Sequence, residues 1–472
     1  MRKRAKVTLI GLFAVHCGDF AFCRDLPPMK PVSLAGSMEF NETQEERVVF
    51  LGTIEEPGAS WIRIQMGHYN LGGRSYVQFA GQKDGAVQKH TARTLPPWND
   101  WSAFFNGDSV DVTLHVAPGE RGIFVEIEQA AYNYPGEMLR ADPDPPDSVH
   151  DLCGSDNRNS STALRVGRLQ NGNPNALCTV YLIANGALLT AGHRQPFIVD
   201  GYTIAEFDIR GSGADGQIVQ SFPQNQFPID TSSLNFANNG QGDDYCVFGV
   251  GPNTLGEQPA VAQGAFFRLS HDLNPSDVRV TGCGIDNTPA GTGSQNGSGG
   301  CNGTADCCEL DGGGNCTCDC NSNHRTLQTS VGSYLGENTT SAGIELEYQV
   351  DTGAGNSGSP VIDFDLDVAI GIHTNSGCTD DTGNTGTSFA HSPLQDAIND
   401  FPGADTVYVD KDHPVPFDAG TMFRPWHFVA AGVFTASPGG IVSIVTGSYN
   451  ETLTIDQPMT LIAPVGSVVI GR

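Results

Sequence analysis

Three short stretches of the sequence carry residues that could cooperate in acyl transfer. GNSGSP contains Ser357, TAGHR contains His193, and GDDY contains Asp243 and Asp244. A serine becomes a nucleophile when an imidazole accepts its proton, a carboxylate orients that imidazole, and backbone N–H groups stabilise the oxyanion. Because Gly-x-Ser-Gly arises readily in a chain with 58 glycines, the case for Ser357 depends on the other two stretches.

The segments around these residues indicate which elements would position them. Two apolar, strand-like runs in CTVYLIANGALLTAGH lead into His193, and the apolar run YCVFGV follows Asp244. A histidine at a strand end and an aspartate in a turn are each usually structural, so neither identifies a site alone. Their order is more specific, because three unrelated triad architectures use three different orders and only the chymotrypsin-like one runs His, Asp, Ser.

Three sequence blocks resemble a known family. CTVYLIANGALLTAGH, DDYCVF and GNSGSP, separated by roughly 50 and 110 residues, resemble the signature blocks of chymotrypsin-like serine peptidases. GNSGSP with GIH downstream is similar to the bacterial glutamyl-endopeptidase branch, and VTGCGID and LQTSVG resemble strands of that branch. The resemblance covers residues 150–402 and implies a double β-barrel there.

The resemblance also implies roles for individual residues. His193 matches the general base, Asp244 the orienting carboxylate and Ser357 the nucleophile. Asp244 is preferred to Asp243 because the family's aspartate directly precedes the aromatic and apolar residues of a strand, here YCV. The backbone N–H groups of Gly355 and Ser357 match the oxyanion hole, where a backbone close to the substrate carbonyl would tolerate no Cβ. We expect no cofactor and no metal.

Five residues match the family's substrate pocket but imply different preferences. Asp351 matches the carboxylate at the base of the trypsin pocket, which would favour Lys or Arg before the scissile bond; a shift of one residue along a strand would turn it away. Thr352, with His373, Thr374 and Ser376 on the opposite wall, matches the groups by which glutamyl endopeptidases hold an acidic side chain. Because GIH and GNSGSP both match that branch, we favour Glu or Asp, with Lys or Arg and broad specificity as alternatives.

The chain departs from the family at two positions beside the site. The residue after the family's histidine is often a cysteine paired with one fifteen residues upstream of that histidine; here Arg194 stands in its place and Cys178 lacks that partner. Cys178 would then pair elsewhere, and we expect Cys153 to be its partner. Asn356 stands where animal digestive members carry Asp, so activation through an ion pair between that Asp and a new N-terminal amine is ruled out in its usual form.

Composition bounds the class of protein. The chain has 472 residues, long enough for two to four domains. It has 53 acidic and 25 basic residues and a net charge of −28, which would repel nucleic acid and anionic membrane surfaces. Short runs rich in Val, Thr and Phe, with few helical patterns beyond SPLQDAINDF, predict a mainly β protein.

The N-terminus and the cysteines predict export. MRKRAKVTLIGLFAV has the layout of a secretory signal peptide, which we place at residues 1–25, and no other run is long enough to span a bilayer. Removing it leaves 11 cysteines, an odd number, and we expect Cys246 to stay free. The Cys-rich insertion (287–323) lacks the spacing of a zinc site, so we expect it to be held by disulfides. The protein would be secreted or periplasmic.

Two further regions flank the protease-like segment. Alternating runs in residues 26–140 predict a β-sandwich, joined through a linker at residues 141–149. Its tryptophans, which include WNDW, are more often core than ligand platform, and its role as a propeptide, a carbohydrate- or surface-binding module, or a spacer stays open. Residues 403–472 resemble the opening coils of a right-handed parallel β-helix.

Two functions from different classes fit the sequence. The first is a secreted serine endopeptidase that acts on a protein or peptide substrate through an acyl-enzyme. The alternative is a cell-surface or extracellular binding or adhesion protein with an inactive protease-like domain. The complete set of His193, Asp244 and Ser357 favours the enzyme, because a binding module has no need of all three.

Overall fold

The structure is a computed structural model that describes residues 27–134, 152–154, 156–172, 178–199, 201–213, 217–285, 323–379 and 381–471. The expected signal peptide, the expected linker and all of the Cys-rich insertion except residue 323 lie outside these residues. The described residues confirm a mainly β fold with an N-terminal sandwich, a double barrel and a C-terminal region of short strands. No helix among them is long and apolar enough to cross a membrane.

The N-terminal region is a sandwich of two antiparallel sheets. Its strands are β1 (Met29–Ala35), β2 (Glu39–Phe40), β3 (Arg47–Glu55), β4 (Trp61–Asn70), β5 (Tyr76–Gly81), β6 (Val87–Thr91), β7 (Phe105–Asn106), β8 (Ser109–Val116) and β9 (Arg121–Asn133). One sheet has the order β1-β9-β4-β7, with β2 also paired to β9, and the other β3-β8-β5-β6. In β8 every second residue of SVDVTLHV is apolar and buried, so Val110, Val112 and Leu114 face the core.

The first barrel is closed by six strands in the order β11-β12-β13-β16-β15-β14. After the short β10 (Asn159–Ser160), its strands are β11 (Val166–Gln170), β12 (Cys178–Leu182), β13 (Leu188–Thr190), β14 (Ile204–Glu206), β15 (Gln226–Gly240) and β16 (Asp243–Val250). Every residue of β12 is buried, since one face of the strand fills the barrel and the other packs on neighbouring elements. The helix α1 (Pro259–Gln263) follows.

The second barrel is also closed by six strands. They are β17 (Asp277–Gly284), β18 (Thr326–Thr339), β19 (Ile344–Gln349), β20 (Pro360–Asp363), β21 (Ala369–Asn375) and β22 (Asn384–Ser388). The order β18-β17-β20-β21-β22-β19 closes through pairing of β18 with β19, and β10 adds to the outside of β18. The predicted helical pattern forms α2 (Ser392–Asn399), whose buried Leu394 and Ile398 lie four residues apart on one face.

The C-terminal region pairs its strands in parallel. It contains β23 (Thr406–Val409), α3 (Val429–Thr435), β24 (Ile441–Ile444), β25 (Gly447–Tyr449), β26 (Thr460–Ile462) and β27 (Val468–Ile470). β23, β24 and β26 form one parallel ladder, and β25 and β27 form another. Ion pairs of Arg268 with Asp410 and of Arg424 with Asp272 join this region to the segment before β17. That the ladders open a longer β-helix stays a prediction.

A buried aromatic cluster joins the sandwich to the first barrel. Trp61, Trp98 and Trp101 pack with Phe104 of the sandwich and Tyr202 of the barrel, and all five are almost fully buried. The tryptophans therefore belong to an inter-domain core and present no exposed platform for a ligand.

Arg63 lies at the centre of this cluster and is itself fully buried. Its Nε donates to the carbonyl oxygen of Ser102 at 2.8 Å, and its Nη1 donates to the carbonyl oxygen of Tyr202. The guanidinium carbon is 4.7 Å from the ring centre of Phe104 and 4.8 Å from that of Tyr202. Burial lowers the pKa of Arg63 to about 10. The sandwich is thus packed on the barrel through a cation that both domains enclose.

The cysteine pairing differs from the expectation. Cys153 forms a disulfide with Cys378, so the pairing of Cys153 with Cys178 was wrong. Cys178 lies within β12 and its thiol is buried and free, as are those of Cys246 and Cys283. The free thiol of Cys246 was predicted, but the described residues hold three free thiols rather than one. Burial raises the pKa of Cys178 to about 11.

Candidate active site

The two barrels bring the three predicted triad residues to their interface. His193 lies in a short 3-10 turn, Gly192–Phe197, directly after β13, and Asp244 lies at the start of β16. Ser357 lies in the turn between β19 and β20 of the second barrel. The first barrel therefore supplies the base and the carboxylate, and the second supplies the hydroxyl.

His193 and Asp244 form a close and doubly bonded pair. The Nδ1 of His193 is 2.6 Å from Asp244 Oδ2, and the backbone N–H of His193 donates to Asp244 Oδ1 at 2.8 Å. The Asp244 side chain is 6% exposed and that of His193 is 28% exposed, so the carboxylate is shielded while the ring edge reaches solvent. An ionised carboxylate at this distance holds the proton on Nδ1 and leaves Nε2 free to accept one.

Asp243 makes a different contact, although it is the neighbour of Asp244. Its Oδ1 is 2.9 Å from Nε2 of His391, and its Oδ2 accepts a hydrogen bond from the side-chain amide of Asn239. Because successive residues of a strand point to opposite faces, the two carboxylates cannot both face His193. Of the two acids, Asp244 is therefore the one that contacts His193, as the resemblance implied.

The Ser357 turn is held by backbone hydrogen bonds from both barrels. The N–H of Thr179 in β12 donates to the carbonyl oxygen of Ser357 at 2.9 Å, and the N–H of Gly358 donates to that of His373 at 2.8 Å. The Ser357 hydroxyl accepts a hydrogen bond of 3.2 Å from Nη2 of Arg194. Among the described residues, no hydrogen bond joins this hydroxyl to His193.

Two N–H groups of the turn point away from the hydrogen bonds that hold it. The carbonyl of Ala354 accepts from the N–H of Ile285, and that of Asn356 accepts from the N–H of Ser359. In a planar trans peptide the N–H points away from the carbonyl, so the N–H groups of Gly355 and Ser357 point away from these anchors. Within the described part of the chain neither N–H has a hydrogen-bond partner, which is the state required of oxyanion donors.

Glycine at position 355 is required by the protein itself. Its φ of +99° is unfavourable for other residues, and a Cβ there would lie 2.4 Å from the carbonyl oxygen of Cys283 in β17. We expected approach of the substrate to exclude the Cβ; the structure places the clash with a neighbouring strand instead.

The carboxylate of Asp351 accepts hydrogen bonds from the segment that precedes the first barrel. Its Oδ1 accepts from the N–H of Cys153 at 2.7 Å and its Oδ2 from the N–H of Asn157 at 2.8 Å. The residue is 3% exposed, and burial raises the pKa of its carboxyl group. Both oxygens thus cap backbone amides, and the disulfide of Cys153 with Cys378 ties the same segment to the second barrel.

His373 is buried, and burial lowers its pKa to about 3. Its Nδ1 is 2.7 Å from the hydroxyl of Tyr348. The single hydroxyl proton of Tyr348 can be donated to Nδ1 or to the carbonyl oxygen of Thr385, which is farther away at 3.3 Å. If it is donated to Nδ1, the shorter contact, the proton of the neutral ring is on Nε2 and can be donated to a ligand. No described residue forms a hydrogen bond with Nε2.

The remaining predicted pocket residues differ in whether their hydroxyl protons are available to a substrate. The hydroxyl oxygen of Thr352 accepts from the side-chain amide of Asn384 at 3.1 Å, which leaves its own proton available. Thr374 donates its hydroxyl proton to Asn375 Oδ1 at 2.8 Å, so that proton is already in use. Ser376 is exposed.

Sequence reasoning missed several residues that support the site. Thr387 in β22 accepts from the N–H of Asp244 and donates to its carbonyl oxygen, and Tyr348 and Asn384 support His373 and Thr352. These residues are far from the motifs in sequence and carry no local signal. The sequence analysis noted Arg194 only because it stands where the family often has a cysteine. That substitution did not predict its contact with Ser357.

Comparison with known proteins gives fold neighbours alone. No protein-family model and no curated protein sequence matches the chain. Similar solved structures include a Glu endopeptidase in complex with MPD, with 17% identity over 50% of this chain and 93% of that one and a TM-score of 0.32. A thermostable serine protease AL20 from an extremophilic microorganism has 10% identity, coverage of 50% and 95%, and a TM-score of 0.33. Protease Anisep from Arthrobacter nicotinovorans has 13% identity, coverage of 49% and 93%, and a TM-score of 0.33. Identities and TM-scores this low do not assign the activity of these proteins to the chain.

Proposed function

We propose that the chain is an exported serine endopeptidase in which Ser357 is the nucleophile, His193 the general base and Asp244 the orienting carboxylate. The observation that carries the proposal is the His193–Asp244 pair at 2.6 Å, together with a serine whose turn has two N–H groups that bond to no described residue. Binding alone requires none of these features, whereas acyl transfer requires all of them.

The proposed reaction begins with attack of the Ser357 hydroxyl oxygen on the scissile carbonyl carbon. His193 Nε2 takes the hydroxyl proton, and the N–H groups of Gly355 and Ser357 stabilise the oxyanion. The C–N bond then breaks, and His193 returns the proton to the leaving amine. Water attacks the remaining ester by the same route and frees Ser357. Asp244 holds the proton on Nδ1 throughout and stabilises the imidazolium that forms.

One observation favours the alternative of an inactive, binding protein. Ser357 accepts a hydrogen bond from Arg194 and makes none with His193 among the described residues. Catalytic hydrogen bonds are often long in proteins without substrate and tighten only in the complex, so this geometry does not remove the base from reach. The two functions are separated by whether Ser357 reacts.

We further propose that the pocket prefers Glu or Asp before the scissile bond. Both carboxylate oxygens of Asp351 accept backbone N–H groups, of Cys153 and Asn157, and the residue is 3% exposed, so they are turned away from a Lys or Arg side chain in the pocket. Neutral His373 and the hydroxyl proton of Thr352 are the donors that remain for a carboxylate.

The deciding experiment is labelling of the full chain with a fluorophosphonate probe, which reacts only with an activated serine. We expect labelling at Ser357, loss of labelling and peptide hydrolysis in Ser357→Ala, and an unchanged circular dichroism spectrum, because a small side chain is removed from a turn. The exposed Ser437 provides the control, and Ser437→Ala should label as the wild type does. A folded wild-type protein that neither labels nor cleaves peptides would favour the binding function.

A further inference from the structure

Arg194 is the residue at the candidate site that the proposed reaction leaves unexplained. It follows His193 in the same short turn, and its guanidinium reaches the nucleophile, with Nη2 3.2 Å from the Ser357 hydroxyl oxygen. The ring centre of Phe197 lies 5.8 Å from its guanidinium carbon. A long cation thus occupies the space beside the hydroxyl that would attack the substrate.

The guanidinium of Arg194 has unused hydrogen-bonding capacity. Its Nε is buried without a hydrogen-bond partner, and its bond to Ser357 is the only hydrogen bond it makes to a described residue. Within the same part of the chain it forms no ion pair, whereas Arg165 and Arg268 each pair with a carboxylate. A guanidinium has five N–H donors in a planar fork that matches a carboxylate.

We propose that Arg194 binds the carboxylate of an acidic side chain on the leaving side of the scissile bond, at the first or second residue after it. This inference rests on the proposed endopeptidase function and adds a second determinant of its substrate. The leaving amine must lie next to the base that protonates it, and Arg194 is the residue adjacent to that base in the same turn. His373, the proposed determinant on the acyl side, belongs to the second barrel, where its carbonyl oxygen accepts the N–H of Gly358.

Binding of such a carboxylate would also change the nucleophile. The Arg194 N–H directed at the Ser357 oxygen withdraws electron density from the atom that must attack. A carboxylate with two oxygens is a better partner for the fork than one hydroxyl, so it would draw the guanidinium away and leave the hydroxyl to His193. We therefore expect an acidic leaving side to raise kcat as well as to lower KM, and to raise kcat/KM about tenfold, the equivalent of 1.4 kcal/mol.

The test compares peptides that differ by one atom type. Their common acyl half is taken from a peptide that the wild type cleaves, and the first or the second residue after the scissile bond is Glu or Gln. We expect kcat/KM to be about tenfold higher for Glu at one of these positions. The ratio should fall to about one in Arg194→Met and below one in Arg194→Glu, which should instead favour Lys. Arg121→Met is the control, because it removes a cation that is 73% exposed in the sandwich, and it should keep the wild-type ratio.

Fluorophosphonate labelling distinguishes failure of the proposed role of Arg194 from failure of the proposed endopeptidase function. A folded wild type that does not label overturns the proposed function itself. A wild type that labels and cleaves Glu and Gln peptides equally at both positions, or whose preference survives in Arg194→Met, overturns the role of Arg194. If Arg194→Met does not fold, Arg194→Lys keeps the charge but loses the fork, and its ratio should fall between one and that of the wild type; an undiminished ratio in this variant also overturns the proposal.

Discussion

Asparagine substitutions at two adjacent residues provide a sharp test of the proposed base. In Asp244, Oδ2 faces Nδ1 of His193 at 2.6 Å while Oδ1 accepts the backbone N–H of the same residue at 2.8 Å. Asparagine has one oxygen and one NH2 group in place of the two oxygens. If the oxygen keeps the backbone bond, the NH2 group faces Nδ1 and can only donate to it, so the ring proton must move to Nε2.

The magnitude follows from that change of tautomer. A ring protonated at Nε2 cannot accept the proton of Ser357, and the carboxylate that would stabilise the imidazolium is gone. The corresponding change in serine proteases lowers kcat by about 10⁴, and we expect Asp244→Asn to have the same effect, which corresponds to roughly 5 kcal/mol of transition-state stabilisation. The circular dichroism spectrum of Asp244→Asn should match that of the wild type.

Asp243→Asn is the matched control, since it makes the same exchange one residue earlier. Asp243 contacts His391 at 2.9 Å and Asn239 at 2.8 Å, and the asparagine can keep one of these bonds. We expect kcat/KM on the same peptide to stay within about threefold of the wild type. The assay is steady-state hydrolysis, with the rate of fluorophosphonate labelling as a second measure that does not depend on the substrate. An equal loss in Asp243→Asn together with normal turnover in Asp244→Asn would refute the assignment.

Two further predictions concern the domain interface and the acyl pocket. Arg63→Ala removes two charge-assisted hydrogen bonds of roughly 1.5–3 kcal/mol each, offset in part by the release of a desolvated cation, so we expect a loss of about 3 kcal/mol in the free energy of unfolding by urea; Arg63→Met, which keeps the packing on Phe104 and Tyr202, should lose about half of that. Faster hydrogen exchange should then extend to Tyr202 and β14 of the barrel, and a change confined to the sandwich would contradict a shared core. In a peptide library, the preference for Glu among the cleaved peptides should stay constant from pH 5.5 to 8, because the pKa of His373 is lowered to about 3 and the ring stays neutral over this range. Asp351→Ser should leave that preference intact, whereas strong cleavage after Lys or Arg that this change abolishes would reject the acidic pocket.

The sequence predicted those features that local patterns encode. Alternating runs in residues 26–140 predicted strands of the sandwich such as β8, and the pattern in SPLQDAINDF predicted α2. The motifs before His193 and around Ser357 could be recognised because a strand end followed by a tight turn is a local signal. The fold brings these two segments together.

Contacts between distant segments carried no such signal. In WIRIQM of β4, alternation places Ile62 and Ile64 on the core face and would place Arg63 on the solvent face, yet Arg63 is fully buried because the barrel covers that face. The bond of Arg63 to Tyr202 spans 139 positions and the disulfide of Cys153 with Cys378 spans 225. No periodicity within one strand reports which other domain packs on its outer face.

The position of the site between two barrels depends on a reciprocal arrangement of two threonines. Thr179 of the first barrel donates its N–H to the carbonyl of Ser357 and its hydroxyl to the carbonyl of Gly355, at 2.9 and 3.0 Å. Thr387 of the second barrel accepts from the N–H of Asp244 and donates to its carbonyl, at 3.1 and 2.9 Å.

Each barrel thus fixes the backbone of the functional residue that the other barrel supplies. Because these bonds form only when the barrels are docked, the placement of His193 relative to Ser357 depends on the docked state of both. The sandwich adds to this dependence, since Arg63 and the aromatic cluster hold the first barrel from its outer side. An element far from the nucleophile is therefore part of what sets the geometry of the site.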